Sequence, residues 1–338
     1  MRKQQVIGLA LAGLAAAALT GTPAWTEEQQ PDRTTAQQVI DAFAGTFGKH
    51  PGFRKNHAKG MCASGVFVGL PEATEYSRSA IFSGAEVPVV VRFSIGGGDP
   101  DTADAGKGPR GIGIEFRLAD GAKQHMTMIN APVFFTNMPS GFLDNLLASK
   151  PDPATGKPDP EALKQFAATH PDSAGFRAFY AENNPPPSYA NAPFFGIHTF
   201  KFIRKDDKVT LVKWRFEPDD GEKHLTDEQI KTRPANFLEP AMLERVKQGA
   251  VKWDMFVTLG EPGDPETDPT KLWPADRKEF KAGTLTLTGA SPDEGGECKS
   301  INYDPLVMAD GIAPTNDPVL LFRSPSYAAS FVLRVQDK

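Results

Sequence analysis

The chain is short of cysteine, of blocks of like charge and of long apolar runs, and each shortage narrows what it can be. Its only cysteines, Cys62 and Cys298, make neither a disulfide framework nor a metal motif. They could pair with each other in an oxidising compartment, but their spacing does not require it. The formal net charge is -5, with acidic and basic residues interspersed, so the electrostatic basis for binding nucleic acid is missing. Beyond the N-terminus no stretch approaches the ~20 apolar residues a membrane-spanning helix needs. No internal repeat is present.

The one long apolar run, Val6 to Leu19, follows Met1-Arg2-Lys3 and precedes Gly21-Thr22-Pro23-Ala24. Basic start, apolar centre and small residues at the end are the marks of a secretory leader, here residues 1–24. The remainder, 25–338, is expected to be exported to the periplasm, soluble and free of the membrane. No Cys near the cleavage position suggests a lipid anchor.

What the chain does have is glycine and proline, 31 and 30 of them, which cut it into many short runs. That pattern fits a β-rich, loop-rich body. Ala36 to Phe47 has helical spacing in Val39, Ile40, Phe43 and Phe47. Strands are predicted at Gly65–Leu70, Val87–Ile95, Gly111–Leu118, Lys123–Ile129, Phe194–Ile203, Lys208–Phe216, Val251–Leu259 and Gly283–Leu287. Three short helices fill Gly141 to Asn184, and a helical stretch from Thr226 to Gln248 is interrupted by Pro234 and Pro240. The tail is ambiguous, because Pro318 suits a helix start while Pro325 would kink one.

Chemistry concentrates in a few stretches. Arg323 and Tyr327 are four residues apart and share a face if the tail is helical. A phenol binds iron poorly until it loses its proton, and a neighbouring guanidinium favours that loss. Arg334, two turns further on, could meet a carboxylate. By itself this segment could be an ordinary surface helix. The same holds for a lone His57 in Phe53-Arg54-Lys55-Asn56-His57-Ala58-Lys59-Gly60.

Taken with Val91-Arg92-Phe93-Ser94, Ile129-Asn130-Ala131-Pro132-Val133-Phe134-Phe135 and Gly196-Ile197-His198-Thr199-Phe200, however, these stretches resemble the catalase family, in the order that family shows. The resemblance implies an α+β fold: an antiparallel β-barrel with surrounding helices, lacking the family's C-terminal helical domain. It implies a single domain over 25–338, with an N-terminal arm (25–60), a barrel with a helical insertion (61–290) and a segment bearing the proximal ligand (291–338). The implied cofactor is haem, as haem b, with Tyr327 as the iron ligand. His57 would be the distal acid/base, Ser94 its hydrogen-bond partner and Asn130 the distal amide, with Phe135 packed near that pocket. Arg54, Arg92 and Arg334 match propionate-binding arginines. Asp317 and His198 match a relay that holds Arg323 against Tyr327.

These roles agree with the chemistry of the residue types. A neutral imidazole can move a proton between two peroxide oxygens, and an amide can hold the peroxide without adding charge. Strand alternation puts Arg92 and Ser94 on one face, so one strand can offer a propionate clamp and brace His57. His50, His125, His170 and His224 match nothing in the family pattern and read as surface or structural residues. Met126 and Met128 read as barrel packing. Asp99, Asp101 and Asp104 read as a solvated loop, since an EF-hand spacing fails after them.

The sequence departs from ordinary catalases in stopping 11 residues after Tyr327 and in placing Lys55 and Asn56 before His57. The departures point to the short catalase-related peroxidase branch, with a wider distal entrance. The expected activity is reduction of hydrogen peroxide or organic hydroperoxides by an external small-molecule electron donor, with weak or no dismutation and no bound NADPH. The competing readings are a hydroperoxide-rearranging enzyme similar to the allene oxide synthases, and a haem carrier without enzymatic activity.

Overall fold

A computed structural model describes residues 32–337; the leader assigned to residues 1–24 lies outside them. The helices are α1 (Ala36–Phe47), α2 (Pro139–Ala148), α3 (Pro160–Thr169), α4 (Ala174–Glu182), α5 (Asp227–Thr232), α6 (Leu238–Lys247) and α7 (Pro318–Gln336). The strands are β1 (Gly60–Gly69), β2 (Glu86–Ile95), β3 (Arg110–Arg117), β4 (Lys123–Ile129), β5 (Phe194–Ile203), β6 (Val209–Pro218), β7 (Val251–Leu259), β8 (Glu279–Pro292) and β9 (Ile312–Pro314).

All pairings among the strands are antiparallel. The order β4-β3-β2-β1-β8-β7-β6-β5 closes on itself through one β4–β5 pair, Ile129 with Phe195, giving an eight-stranded barrel to which β9 adds an edge. Alternation decides what fills it. Val87, Val89, Val91, Phe93 and Ile95 of β2 join the core with Ile112, Ile114 and Phe116 of β3, and with Met126 and Met128 of β4. The intervening residues of the same strands, among them Arg92, Ser94, Gly111, Gly113 and Thr127, therefore face outward. The methionine pair is barrel packing, as expected from sequence.

Two expectations are corrected. Asp104 is buried, not part of a solvated loop. Its Oδ2 accepts the backbone N–H groups of Phe237 and Leu238 at the start of α6, and its Oδ1 pairs with Lys59 Nζ. A carboxylate there meets the unpaired N–H groups of a helix start. Pro240 does not interrupt a helix, because it falls in the first turn of α6, where its missing N–H has no partner to lose.

The tail resolves as one continuous helix, α7, with Pro325 inside it. Pro325 cannot donate to the carbonyl four residues back, that of Leu321, but both residues lie on the exposed face, where water can take the donor's place. Asp317 caps the helix through the N–H groups of Val319 and Leu320. Cys62 and Cys298 form a disulfide, which the sequence left open. No helix among the described residues is long and apolar enough to cross a membrane.

Candidate active site

The outward faces of β2, β3 and β4, the inner face of α7 and the helices α1 to α4 enclose a cavity of about 1240 Å³. That exceeds the ~300–1,000 Å³ usual for a small-ligand pocket, so a large group and a substrate can share it. His57, Arg54, Arg92, Ser94, Phe135, His198, Arg323, Tyr327 and Arg334, all expected at the site, line it together.

His57 sits in the loop before β1 with φ 55, a left-handed conformation uncommon outside glycine. Three contacts hold it there. Its N–H donates to Asn56 Oδ1 (2.9 Å), its carbonyl accepts from Arg92 Nη1 (2.9 Å), and its ring Nδ1 pairs with Ser94 Oγ (2.9 Å). Asn56 Oδ1 also accepts the Gly97 N–H, so Asn56 braces the loop as well as lining the cavity. Position 111 must be glycine, because a Cβ would approach within 2.9 Å of the His57 ring. Burial, with Arg92, Arg323 and Arg54 nearby, pushes the His57 imidazole down to about 3. It is neutral at any ordinary pH.

Asn130 follows the wall residue Ile129 but is not itself part of the cavity lining. Its Oδ1 is occupied by the Arg110 N–H (2.8 Å) and the Tyr180 hydroxyl (2.8 Å). Burial raises the Tyr180 phenol well above its ordinary range, so it stays protonated and able to donate. Nδ2 of Asn130 makes no hydrogen bond among the described residues. Sequence reasoning missed Arg110 and Tyr180; neither has a local pattern that would reveal it.

On the opposite side, Arg323 Nη2 donates to Tyr327 Oη (2.8 Å) and to Thr127 Oγ1 (2.7 Å). Here the expected relay is corrected. Asp317 and His198 do pair, Nδ1–H to carboxylate at 2.7 Å and fully buried, but neither hydrogen-bonds Arg323. Asp317 is committed to capping α7, and Arg323 lies beyond the helix's first turn, where Thr127 on β4 meets it. His198 stands in a bulge, since three residues of β5 separate Gly196 from Phe200 while one residue of β6 separates their partners Trp214 and Val212. Its Nε2 has no partner. Burial outweighs the Asp317 carboxylate and lowers the His198 imidazole, so that Nε2 is a bare acceptor.

Arg54, Arg92 and Arg334 converge at one end of the cavity. Arg92 is bidentate to Asp293 (3.0 and 3.1 Å), which sequence reasoning also missed. Burial would raise the Asp293 carboxyl, but Arg92 and Arg54 outweigh it and hold it below the ordinary range. Burial together with Arg92 and Arg334 drives the Arg54 guanidinium well below its ordinary value, and burial lowers Arg334 in the same way. Arg334 Nη1 is buried without any partner. Three cations, Arg92 and Arg334 buried and Arg54 half-buried, with one carboxylate and an orphaned N–H are short of anionic acceptors. The two carboxylates of a haem fit that shortage, and a phenolic oxygen beside a guanidinium fits its iron.

A closed eight-stranded antiparallel barrel with packed helices is the fold of solved catalases. Catalase A from Saccharomyces cerevisiae superposes with a TM-score of 0.78 at 24% identity, over 88% of this chain and 64% of that one. A bacterial catalase gives 0.77 at 22%, over 97% and 68%. The sequence goes further: the family described as Catalase matches residues 48–337, and the chain belongs to it. A catalase-related peroxidase of Synechococcus elongatus is 51% identical, over 98% of this chain and 93% of that protein. One of Mycolicibacterium paratuberculosis is 33% identical, over 89% and 95%. The chain spans only 58% of a Methanosarcina barkeri catalase, to which it is 29% identical. It falls within the catalase-related peroxidase branch, whose members are oxidoreductases acting on peroxide.

Proposed function

We propose that the chain is an exported haem b peroxidase, which reduces hydrogen peroxide or organic hydroperoxides with electrons from an external donor and dismutates peroxide weakly. The observation that carries this reading is a single cavity with a neutral, braced imidazole on one wall and an arginine-bonded phenol on the other. A bound haem would supply the iron that takes up the peroxide and the two electrons that cleave its O–O bond.

Tyr327 would hold the iron, with Arg323 favouring the phenolate. Arg54, Arg92 and Arg334 would hold the propionates. His57, neutral and with Nδ1 held by Ser94, keeps Nε2 for the substrate and can carry a proton from one peroxide oxygen to the other. Asn130, its Oδ1 already occupied, would have only its Nδ2 to offer a peroxide. The preference for an external donor is supported by the apolar wall that Phe43, Phe142, Leu163 and Phe176 give the cavity, a surface that a second molecule of hydrogen peroxide does not need.

The disulfide supports export, since such bonds persist in oxidising compartments. N-terminal sequencing of the protein recovered from periplasm tests that part. For the activity, a phenolate-ligated ferric absorption spectrum and donor-dependent peroxide consumption are expected. Rapid donor-independent oxygen release at an oxygen electrode overturns the peroxidase preference.

A further inference from the structure

The three arginines that read as propionate ligands come from distant places, Arg54 from the loop before β1, Arg92 from β2 and Arg334 from α7. They nevertheless share one support, the segment that leaves β8 at Pro292 and reaches the cavity at Asn302. Arg54 Nη2 donates to three of its carbonyls, those of Ile301 (2.9 Å), Cys298 (3.0 Å) and Lys299 (3.3 Å), and among the described residues the guanidinium has no other hydrogen bond. Arg334 Nη2 reaches Ile301 O at 3.5 Å. Arg92 is held by Asp293 at the segment's start.

Beyond these arginine contacts, the segment packs Cys298 and Ile301 against Val90 and Tyr303. Its backbone hydrogen bonds, Gly296 to Asp293, Lys299 to Gly296 and Ile301 to Cys298, are all internal. Glu297 reaches Arg117 only at the surface. Its covalent tie to the barrel is Cys298 to Cys62 on β1, buried next to Asp293. The chain passes so close over this bond that a Cβ at Gly296 would lie 2.4 Å from Cys62 Sγ.

We infer that the Cys62–Cys298 disulfide is a positioning device for the propionate arginines, so that haem is retained tightly only while the pair is oxidised. This rests on the reading of Arg54, Arg92 and Arg334 given above. An external dithiol opens the bond by thiol–disulfide exchange: it delivers two electrons and two protons, leaves Cys62 and Cys298 as thiols, and becomes a disulfide itself. The freed segment then carries the carbonyls of Cys298, Lys299 and Ile301 away from Arg54 and Arg334, which lose the geometry that meets two carboxylates, while Asp293, next to the paired end of β8, stays on Arg92. Before export, among cytosolic thiols, the chain would hold haem loosely. Oxidation after export would fasten it.

A disulfide that only restrained the unfolded chain would lower stability without changing haem release from the folded protein. Haem transfer to excess apomyoglobin, followed at a temperature well below every melting transition, separates the two. The proteins compared are the oxidised wild type, the dithiothreitol-reduced wild type, C62S/C298S, and V257A as a control that destabilises the barrel away from the segment. Release from the reduced and double-serine proteins is expected to be about tenfold faster, the scale of one lost charged hydrogen bond, with V257A close to wild type. Adding Arg54→Gln to C62S/C298S should then add little, because the same contact is already lost. Unchanged release on reduction, or release from V257A as fast as from the reduced protein, overturns the inference. If the oxidised wild type binds no haem at all, the propionate reading falls with it.

Discussion

On the His57 side of the cavity the reactive side chain is fixed through its backbone N–H, its carbonyl and its ring, whereas on the other side Tyr327 has one hydrogen bond, from Arg323, and a helix. The distal group is placed by protein alone, strain included. Tyr327 is held by fewer contacts, and under the proposed function the bond to the iron would make the last adjustment. The two sides should therefore respond differently to substitution, support residues counting for more around His57 and the ligand atom itself for more at Tyr327.

The largest effect should come from Tyr327→Phe, which removes the oxygen proposed to hold the iron. Haem stoichiometry after reconstitution should fall far below one, and retention of a full complement with an unchanged spectrum would break the comparison. His57→Ala should keep haem and lower the rate of peroxide consumption by ~10²–10⁴-fold, the usual contribution of a positioned acid/base, as stopped-flow mixing with peroxide would show. Ser94→Ala should cost roughly three- to tenfold in the same measurement, one hydrogen bond's worth, while Thr127→Val on the opposite side should cost less. Equal losses at Ser94 and Thr127 would erase the asymmetry.

The smallest effect is on pH dependence. His57 titrates at 6.5 when unfolded and near 3 when folded, so between those values the unfolded chain binds a proton that the native one refuses. This contribution to stability is complete above pH 6.5 and is lost as pH falls toward 3. The melting temperature of the haem-free protein should drop over that range, and less steeply in His57→Gln. Peroxide reduction should show no acid limb from His57 near pH 6.5.

The barrel was legible in the sequence because its interior accepts only every second residue. Val87, Val89, Val91, Phe93 and Ile95 state that rule in the chain itself, and Lys123–Ile129, Phe194–Ile203 and Val251–Leu259 were bounded correctly by it. β9 has three residues, too few for alternation to register. The continuity of α7 through Pro325 depends on which face of the helix meets water, a tertiary fact.

The site residues were legible as a set, through motifs in a known order, and their shared cavity follows the outward faces of β2, β3 and β4. What the motifs did not contain were the contacts that cross them. Thr127 takes the place at Arg323 expected of His198 and Asp317, and Tyr180 and Arg110 occupy Oδ1 of Asn130. Each depends on barrel register or on the placement of an inserted helix, and no short stretch of sequence encodes either.

The single pair that closes the barrel, Ile129 with Phe195, lies one residue before Asn130. The hairpin pairings β2–β3 and β3–β4 join neighbours in sequence, but this seam joins residues separated by the whole α2–α4 insertion, so its loop-closure entropy is the greater. Closing the ring needs this seam as well as the still more distant pairing of β1 with β8, which joins Gly69 to Gly283, and the wall of the cavity beside Asn130 should be completed with the seam. A chain that has formed its sheet but not its seam would carry every motif of the site and no pocket, so competence to receive a cofactor should wait on that closure.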